Sequence, residues 1–144
     1  MITLNSFGKN AIDKVKGVHS VTDITGFGLL GHSLEMAEGS KVTINIDANK
    51  VPYIKEAKEY AKMGLVPAGA YNNKNYIKDK VHIGDNIEDY MVDILFDPQT
   101  SGGLLISIKE EHAQELLDNL VDSPVMYGVI GHVTEYKGKH IIVK

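Results

Sequence analysis

Two short stretches set glycines beside carboxylates, and each has the residue types to handle a phosphate. Gly26-Phe27-Gly28-Leu29-Leu30-Gly31 matches G-x-G-x-x-G between a β-branched run and an apolar periodic one. Such a turn lets backbone N–H groups approach a pyrophosphate, and the N-terminus of the following helix adds a favourable dipole. Asp47 closes the next alternating run about 20 residues on, where a dinucleotide site places its ribose carboxylate. Three features count against that use. Ser20, Thr22 and Asp23 interrupt the preceding run, whereas a central parallel strand is nearly all apolar. Asp23 sets a negative charge where a pyrophosphate would come, unless a cation lies between them. The rest of the chain also fails to continue as regular βαβ units.

Asp23 has two other uses. A carboxylate at a strand end can hold Mg2+, which keeps several waters and binds through one or two carboxylates plus substrate phosphates. The metal then neutralises charge on a transferring phosphoryl group. Alternatively, Asp23 or Thr25 caps the helix that follows, since both residue types accept backbone hydrogen bonds there. Spacing alone favours the cap.

The second stretch is Asp97-Pro98-Gln99-Thr100-Ser101-Gly102-Gly103, set directly before an apolar run. Its N–H groups and hydroxyls suit an anion. A tight turn explains it more simply, with Pro fixing φ, glycines free to take φ > 0 and Asp97 bonding its own backbone. The six histidines, His19, His32, His82, His112, His132 and His140, form no metal pair at helical spacing and read as surface or locally bonded residues. Ser20, Ser33, Ser101 and Ser107 form no nucleophile elbow. The residues alone give two glycine-associated acidic loops and no self-sufficient catalytic set.

Composition narrows the classes further. The 144 residues are one domain's worth, with 43% hydrophobic and 24% charged residues, as in ordinary globular chains. With no cysteine there is no disulfide, thiolate site or thiol nucleophile. All 15 basic residues are lysine, so bidentate arginine forks are missing, and the net charge is −4. With no Trp and three Phe besides, the chain is a poor holder of nucleic acid. No apolar run is long enough to span a bilayer and no signal pattern opens the chain, so neither a membrane nor a secreted address is expected; the default is cytoplasmic.

The elements that must position these loops follow from periodicity. Leu4, Phe7, Ala11 and Val15 predict a helix over 3–16, ended by Gly17, and β-branched 18–24 predicts a strand. Residues 29–38 suit a helix stopped by Gly39, and Val42, Ile44 and Ile46 alternate as in a half-buried strand. A helix over about 53–63, with Tyr53, Ala57, Tyr60 and Ala61 on one face, stops at Gly64. Pro67, Gly69 and a run of Asn predict loop over 65–85, and 86–95 a short helix. Residues 104–108 form an apolar strand, and 109–121 a helix burying Ala113, Leu116, Leu117 and Leu120. Strands near 125–134 and 140–143 flank a turn at Lys137-Gly138-Lys139. A mixed sheet with helices packed on it accommodates this order.

TDITGFGLLGH (22–32) and DPQTSGGLL (97–105), in this order, resemble the signature strings of the selenophosphate synthetases (selenide, water dikinases), in the superfamily that includes aminoimidazole ribonucleotide synthetase. PAGAY (67–71) and VIGHV (129–133) fit the same pattern, so the resemblance runs over nearly the whole chain. DPQTSGGLL favours the selenium branch over an aminoimidazole ribonucleotide synthetase-like enzyme. The resemblance implies a C-terminal domain (1–144) with an α+β fold, a three-layer α/β/α sandwich with a mixed sheet, working with an N-terminal domain absent here. It implies a reaction in which ATP, selenide and water give selenophosphate, phosphate and AMP, in a homodimer. That absent half would bring the cysteine or selenocysteine, a lysine and further aspartates.

Position by position, the resemblance gives Asp23 the role of a Mg2+ ligand and Thr22, Thr25, Gly26, Phe27 and Gly28 one wall of the ATP cleft. Asp97, Gln99, Thr100, Ser101, Gly102 and Gly103 match a signature that packs near the cleft or the domain junction. One departure is visible: relatives often carry Arg-Asn after the Gly-Ala-Tyr region, and the Arg position here is Asn72. A free-standing module binding a dinucleotide through Gly26–Gly31, or a protein partner, is the alternative from another class.

Overall fold

The computed structural model describes residues 4–144 and divides its strands into two sheets. The smaller is an antiparallel ribbon of β1 (Val18–Asp23) and β4 (Leu104–Ile108). The larger is mixed, ordered β3 (Val81–Ile83), β6 (Ile141–Val143), β2 (Val42–Ile46), β5 (Gly131–Glu135), with β5 antiparallel to β2 and the others parallel. With its helices this is the α+β fold and mixed sheet that the resemblance implies.

Each sheet carries its own helices. α2 (Gly28–Ser40), α4 (Ala68–Ile77) and α5 (Asp89–Phe96) enclose the main core with the four-stranded sheet. Leu30, Leu34, Ile46, Leu95, Phe96, Ile141 and Val143 are almost fully buried there, each worth about 1.5–3 kcal/mol against exposure. α1 (Ser6–Ile12) and α6 (Glu110–Asp118) serve the ribbon, where Ala11, Leu116 and Leu120 meet Ile106 and Ile108. α3 (Lys55–Lys62) buries no residue fully; it is held to α5 by Lys58 and Lys62, whose ammonium groups lie 4.8 and 5.3 Å from the Tyr90 ring centre.

Several expectations are corrected. Residues 65–85 are not loop: they contain α4 and β3. Ala70, Asn73 and Ile77 recur at helical spacing and are all buried, so tertiary packing overrides the weak helix propensity of the Asn run. The first helix is shorter than 3–16, whose first residue lies outside the described ones. After Ile12 the chain continues in three-residue turns (Lys14 N–H to Ala11 O, Val15 N–H to Ile12 O) up to Gly17, and Leu4 is 77% exposed. α2 runs through Gly39 and ends on Lys41, which takes the left-handed conformation at φ 56°. β4 is half-buried at every position because a two-stranded ribbon leaves it one neighbour only. Residues 125–130 form no strand, and Val125, Met126, Tyr127 and Val129 are exposed.

Candidate functional site

The two glycine loops meet at one end of the ribbon. Pairing of β1 with β4 brings Asp23 opposite Leu104. Beyond the last strand pair the contact continues: Ile24 N–H donates to Gly103 O (2.9 Å) and Gln99 N–H donates to Thr25 O (3.0 Å). Residues 97–103 therefore fold back onto 24–25, and the sequence-remote motifs form one surface.

Glycine is needed at two of the contacts. A Cβ at Gly102 would stand 2.2 Å from Ile24 O, inside any allowed contact. Gly28 has φ 68°, and a Cβ there would lie 2.9 Å from the Phe96 and Asp97 backbone. Gly26 and Gly103, by contrast, have open space where a side chain would be. Asn73, buried on α4, completes the joint by donating from Nδ2 to Gly26 O (2.9 Å) and Phe96 O (3.1 Å). It immediately follows Asn72, and sequence reasoning assigned it no role. Its spacing from Ala70 and Ile77 is the signal that could have placed it on a buried helix face.

β1 alternates, leaving Thr22 half-buried and Asp23 exposed at the strand end. The Thr22 hydroxyl donates to Asp23 O (3.3 Å), and among the described residues nothing bonds or pairs with the Asp23 carboxylate. Neither Asp23 nor Thr25 caps α2: its N-cap position is Phe27, no side chain caps it, and the Thr25 hydroxyl instead meets His32 Nε2 at 2.9 Å. His32 is locally bonded as expected, but its side chain is only 11% exposed. Phe27, 48% exposed, lies 5.7 Å from the His32 ring and stacks on Tyr76 of α4 at 6.4 Å and 15°.

In the second loop Gln99 Nε2 donates to Asp97 Oδ2 (2.6 Å). Burial holds the Asp97 carboxyl above the usual carboxylate range, opposed by that hydrogen bond. Asp93, one turn earlier on α5, is raised by burial too, opposed by Lys74 and reinforced by Asp89. Thr100 and Ser101 are exposed.

The dinucleotide use of Gly26–Gly31 does not survive this geometry. β1 and β2 lie in different sheets, so there is no parallel βαβ unit across the glycine turn. Asp47 accepts from Asn49 N–H (3.1 Å) and pairs with Lys50 (3.2 Å), closing a short 3-10 turn over Ala48–Lys50.

As to metal, no group of three His, Asp or Glu able to hold an ion occurs among the described residues. A lone exposed carboxylate fits one ligand of a shared Mg2+ site, which needs few protein ligands. No helix among the described residues is long and apolar enough to cross a membrane.

The chain matches relatives over its full length. A selenide, water dikinase of Clostridium botulinum (strain Eklund 17B / Type B) is 47% identical over 144 residues, covering 100% of this chain and 41% of that protein. One from Clostridioides difficile (strain 630) is 49% identical over 144 residues, covering 99% and 41%. One from Caldanaerobacter subterraneus subsp. tengcongensis is 50% identical over 135 residues, covering 92% and 39%. The chain thus spans about two fifths of the length of these relatives. Among solved structures, E. coli HypE, a hydrogenase maturation protein, shares the fold with a TM-score of 0.54 at 17% identity, over 94% of this chain and 34% of that one. The model of the family described as AIR synthase related protein, C-terminal domain, matches residues 7–144, and the chain belongs to that family.

Proposed function

We propose that this chain is the C-terminal part of an enzyme making selenophosphate from selenide, ATP and water, with release of AMP and phosphate. Its share is one Mg2+ ligand, Asp23, and a wall of the ATP cleft formed by Thr22, Thr25, Gly26, Phe27 and Gly28. The loop from Asp97 to Gly103 holds that wall in place. Relatives named selenide, water dikinase at 46–50% identity support the reaction.

The observation that carries the site is the exposed carboxylate of Asp23, unbonded among the described residues, beside an α2 N-terminus that none of their side chains caps. The Gly28 N–H is taken by Thr25 O (3.0 Å), while the positive end of the α2 dipole still favours phosphate oxygens. A carboxylate there repels them unless a cation intervenes, so the pair of features suits a metal–phosphate ligand better than either alone. When bound, Mg2+ would offset charge developing on the transferred phosphoryl group. This chain's own residues bind and orient: Gly26 leaves room for close approach, and Phe27 covers one side of the turn. With no cysteine in the chain and no complete metal site among the described residues, the 144 residues alone fold without turning over. A second domain, a homodimeric assembly and a cytoplasmic address belong to the same proposal.

The test is Asp23→Asn in the intact enzyme. Selenide-dependent AMP release should fall about 100-fold or more, with an unchanged circular dichroism spectrum. Near-normal AMP release would remove Asp23 from the site, and AMP release by the pure 144-residue chain would contradict its dependence on a second domain.

A further inference from the structure

His32 is bonded through both ring nitrogens. Nε2 lies 2.9 Å from Thr25 Oγ1, and Nδ1 lies 2.9 Å from Glu35 Oε2. Thr25 belongs to the glycine turn, His32 and Glu35 to α2, so one short segment builds a hydroxyl–imidazole–carboxylate chain. The imidazole is buried, while the Glu35 side chain is 59% exposed.

The chemistry of these groups fixes the direction of the chain. An ionised carboxylate only accepts, so the proton of the Nδ1···Oε2 bond sits on Nδ1. A neutral imidazole carries one N–H, which leaves Nε2 bare and accepting. The Thr25 hydroxyl must then donate to it, committing its single proton inward. What remains on Thr25 Oγ1 for the exposed side is lone pairs. Released from this chain, a threonine hydroxyl could turn its proton out to a phosphate oxygen instead.

We infer that Glu35, acting through His32, fixes the Thr25 hydroxyl as a pure acceptor toward the cleft, so that Thr25 receives a metal-bound water and not a bare phosphate oxygen. His32 and Glu35 are positioning residues in this arrangement. The Gly28 N–H at the start of α2 is held by Thr25 O (3.0 Å), and Asp23 and Thr25 address the cation and its water shell. The ligand named here rests on the metal reading above; the direction of the hydrogen bonds does not.

Two measurements separate these. Long-range 1H–15N NMR of the 15N-histidine-labelled 144-residue chain, at about pH 8.5 where an ordinary imidazole is neutral, should show His32 protonated at Nδ1. Glu35→Gln should move population to the Nε2–H tautomer, the one free neutral histidine prefers. An Nε2–H resonance for His32 in the unaltered chain would overturn the inference, because Thr25 would then be the acceptor. The second measurement is Mn2+ binding to the intact enzyme by electron paramagnetic resonance. Thr25→Val and Glu35→Gln should weaken it about tenfold, as loss of an outer-shell partner does, and Thr25→Ser should restore it. Weakening by Asp23→Asn but not by Thr25→Val overturns this inference alone. No weakening by Asp23→Asn overturns the metal reading, and the water ligand falls with it.

Discussion

Alanine at Gly102 tests how tightly the two loops are locked. Its Cβ would lie 2.2 Å from Ile24 O and 3.0 Å from both Ile24 C and Cβ. Two of these atoms are backbone, so no rotamer change relieves the contact, and the chain must part by about 1 Å to reach ordinary separation. That movement breaks the Ile24 N–H to Gly103 O bond and strains the neighbouring Gln99 N–H to Thr25 O bond. Overpacking typically costs about 1–3 kcal/mol, and a lost hydrogen bond about 1 kcal/mol more, giving about 2–4 kcal/mol. Gly103→Ala is the control: it meets open space, and should change stability by less than about 1 kcal/mol. Urea unfolding followed by circular dichroism reads both. With a slope of about 2 kcal/mol/M, Gly102→Ala should lower the midpoint by about 1–2 M. Equal midpoints for the two variants would refute the claim that the loops interlock at Gly102.

Asn73→Ala removes both bonds from Nδ2 and leaves Gly26 O and Phe96 O without that partner; it should cost about 2–4 kcal/mol in urea unfolding and weaken nucleotide binding by the intact enzyme. An effect below about 0.5 kcal/mol would show that water replaces the amide freely. Lys41→Gly should raise stability by about 0.5–1 kcal/mol in thermal unfolding, because glycine takes the left-handed α2 C-cap without a Cβ clash; a loss of stability would contradict that. Asp93 and Asp97 are both raised by burial, so folding takes up protons on these carboxyls. Their contribution is fully favourable below the ordinary carboxylate value of about 4 and is lost as pH rises through the raised values. The double variant Asp93→Asn, Asp97→Asn should therefore gain stability relative to the parent as pH rises above about 4, read from unfolding midpoints; a constant difference as pH rises would contradict the burial argument.

Much of the architecture was legible because it depends on local pattern. Gly17, Gly64 and Gly138 all have positive φ, and each stands where the sequence placed a stop or turn. The alternation of Val42, Ile44 and Ile46 gave β2 its two faces, although Thr43 and Asn45 are buried as well. Thr43 is covered by the turn after β5, where it bonds Lys139 O and accepts from Lys137 N–H, a long-range contact no local pattern carries. The same limit hid α4, whose Asn-rich helix exists because Ala70, Asn73 and Ile77 meet α2 and α5. It also hid the end of α2, since Lys41 tolerates a conformation that Gly39 would have taken more cheaply.

At the candidate site the residue types were readable and their joining was not. Asp23 and the glycines stood out by composition, but the pairing of β1 with β4, which seats DPQTSGG against TDITGFG, links distant parts of the chain. Thr25 lies outside α2, so no helical period links it to His32; the turn at Gly28, with φ 68°, brings them together. Without that turn the histidine looked like one of six scattered ones.

The most direct test is a crystal structure of the intact enzyme with Mg2+ and a non-hydrolysable ATP analogue. A carboxylate oxygen of Asp23 should stand about 2.0–2.1 Å from a Mg2+ bridging the phosphates, with Gly26 and Phe27 lining the same cleft. A nucleotide and metal bound away from Asp23, with its carboxylate still facing solvent, would contradict the account.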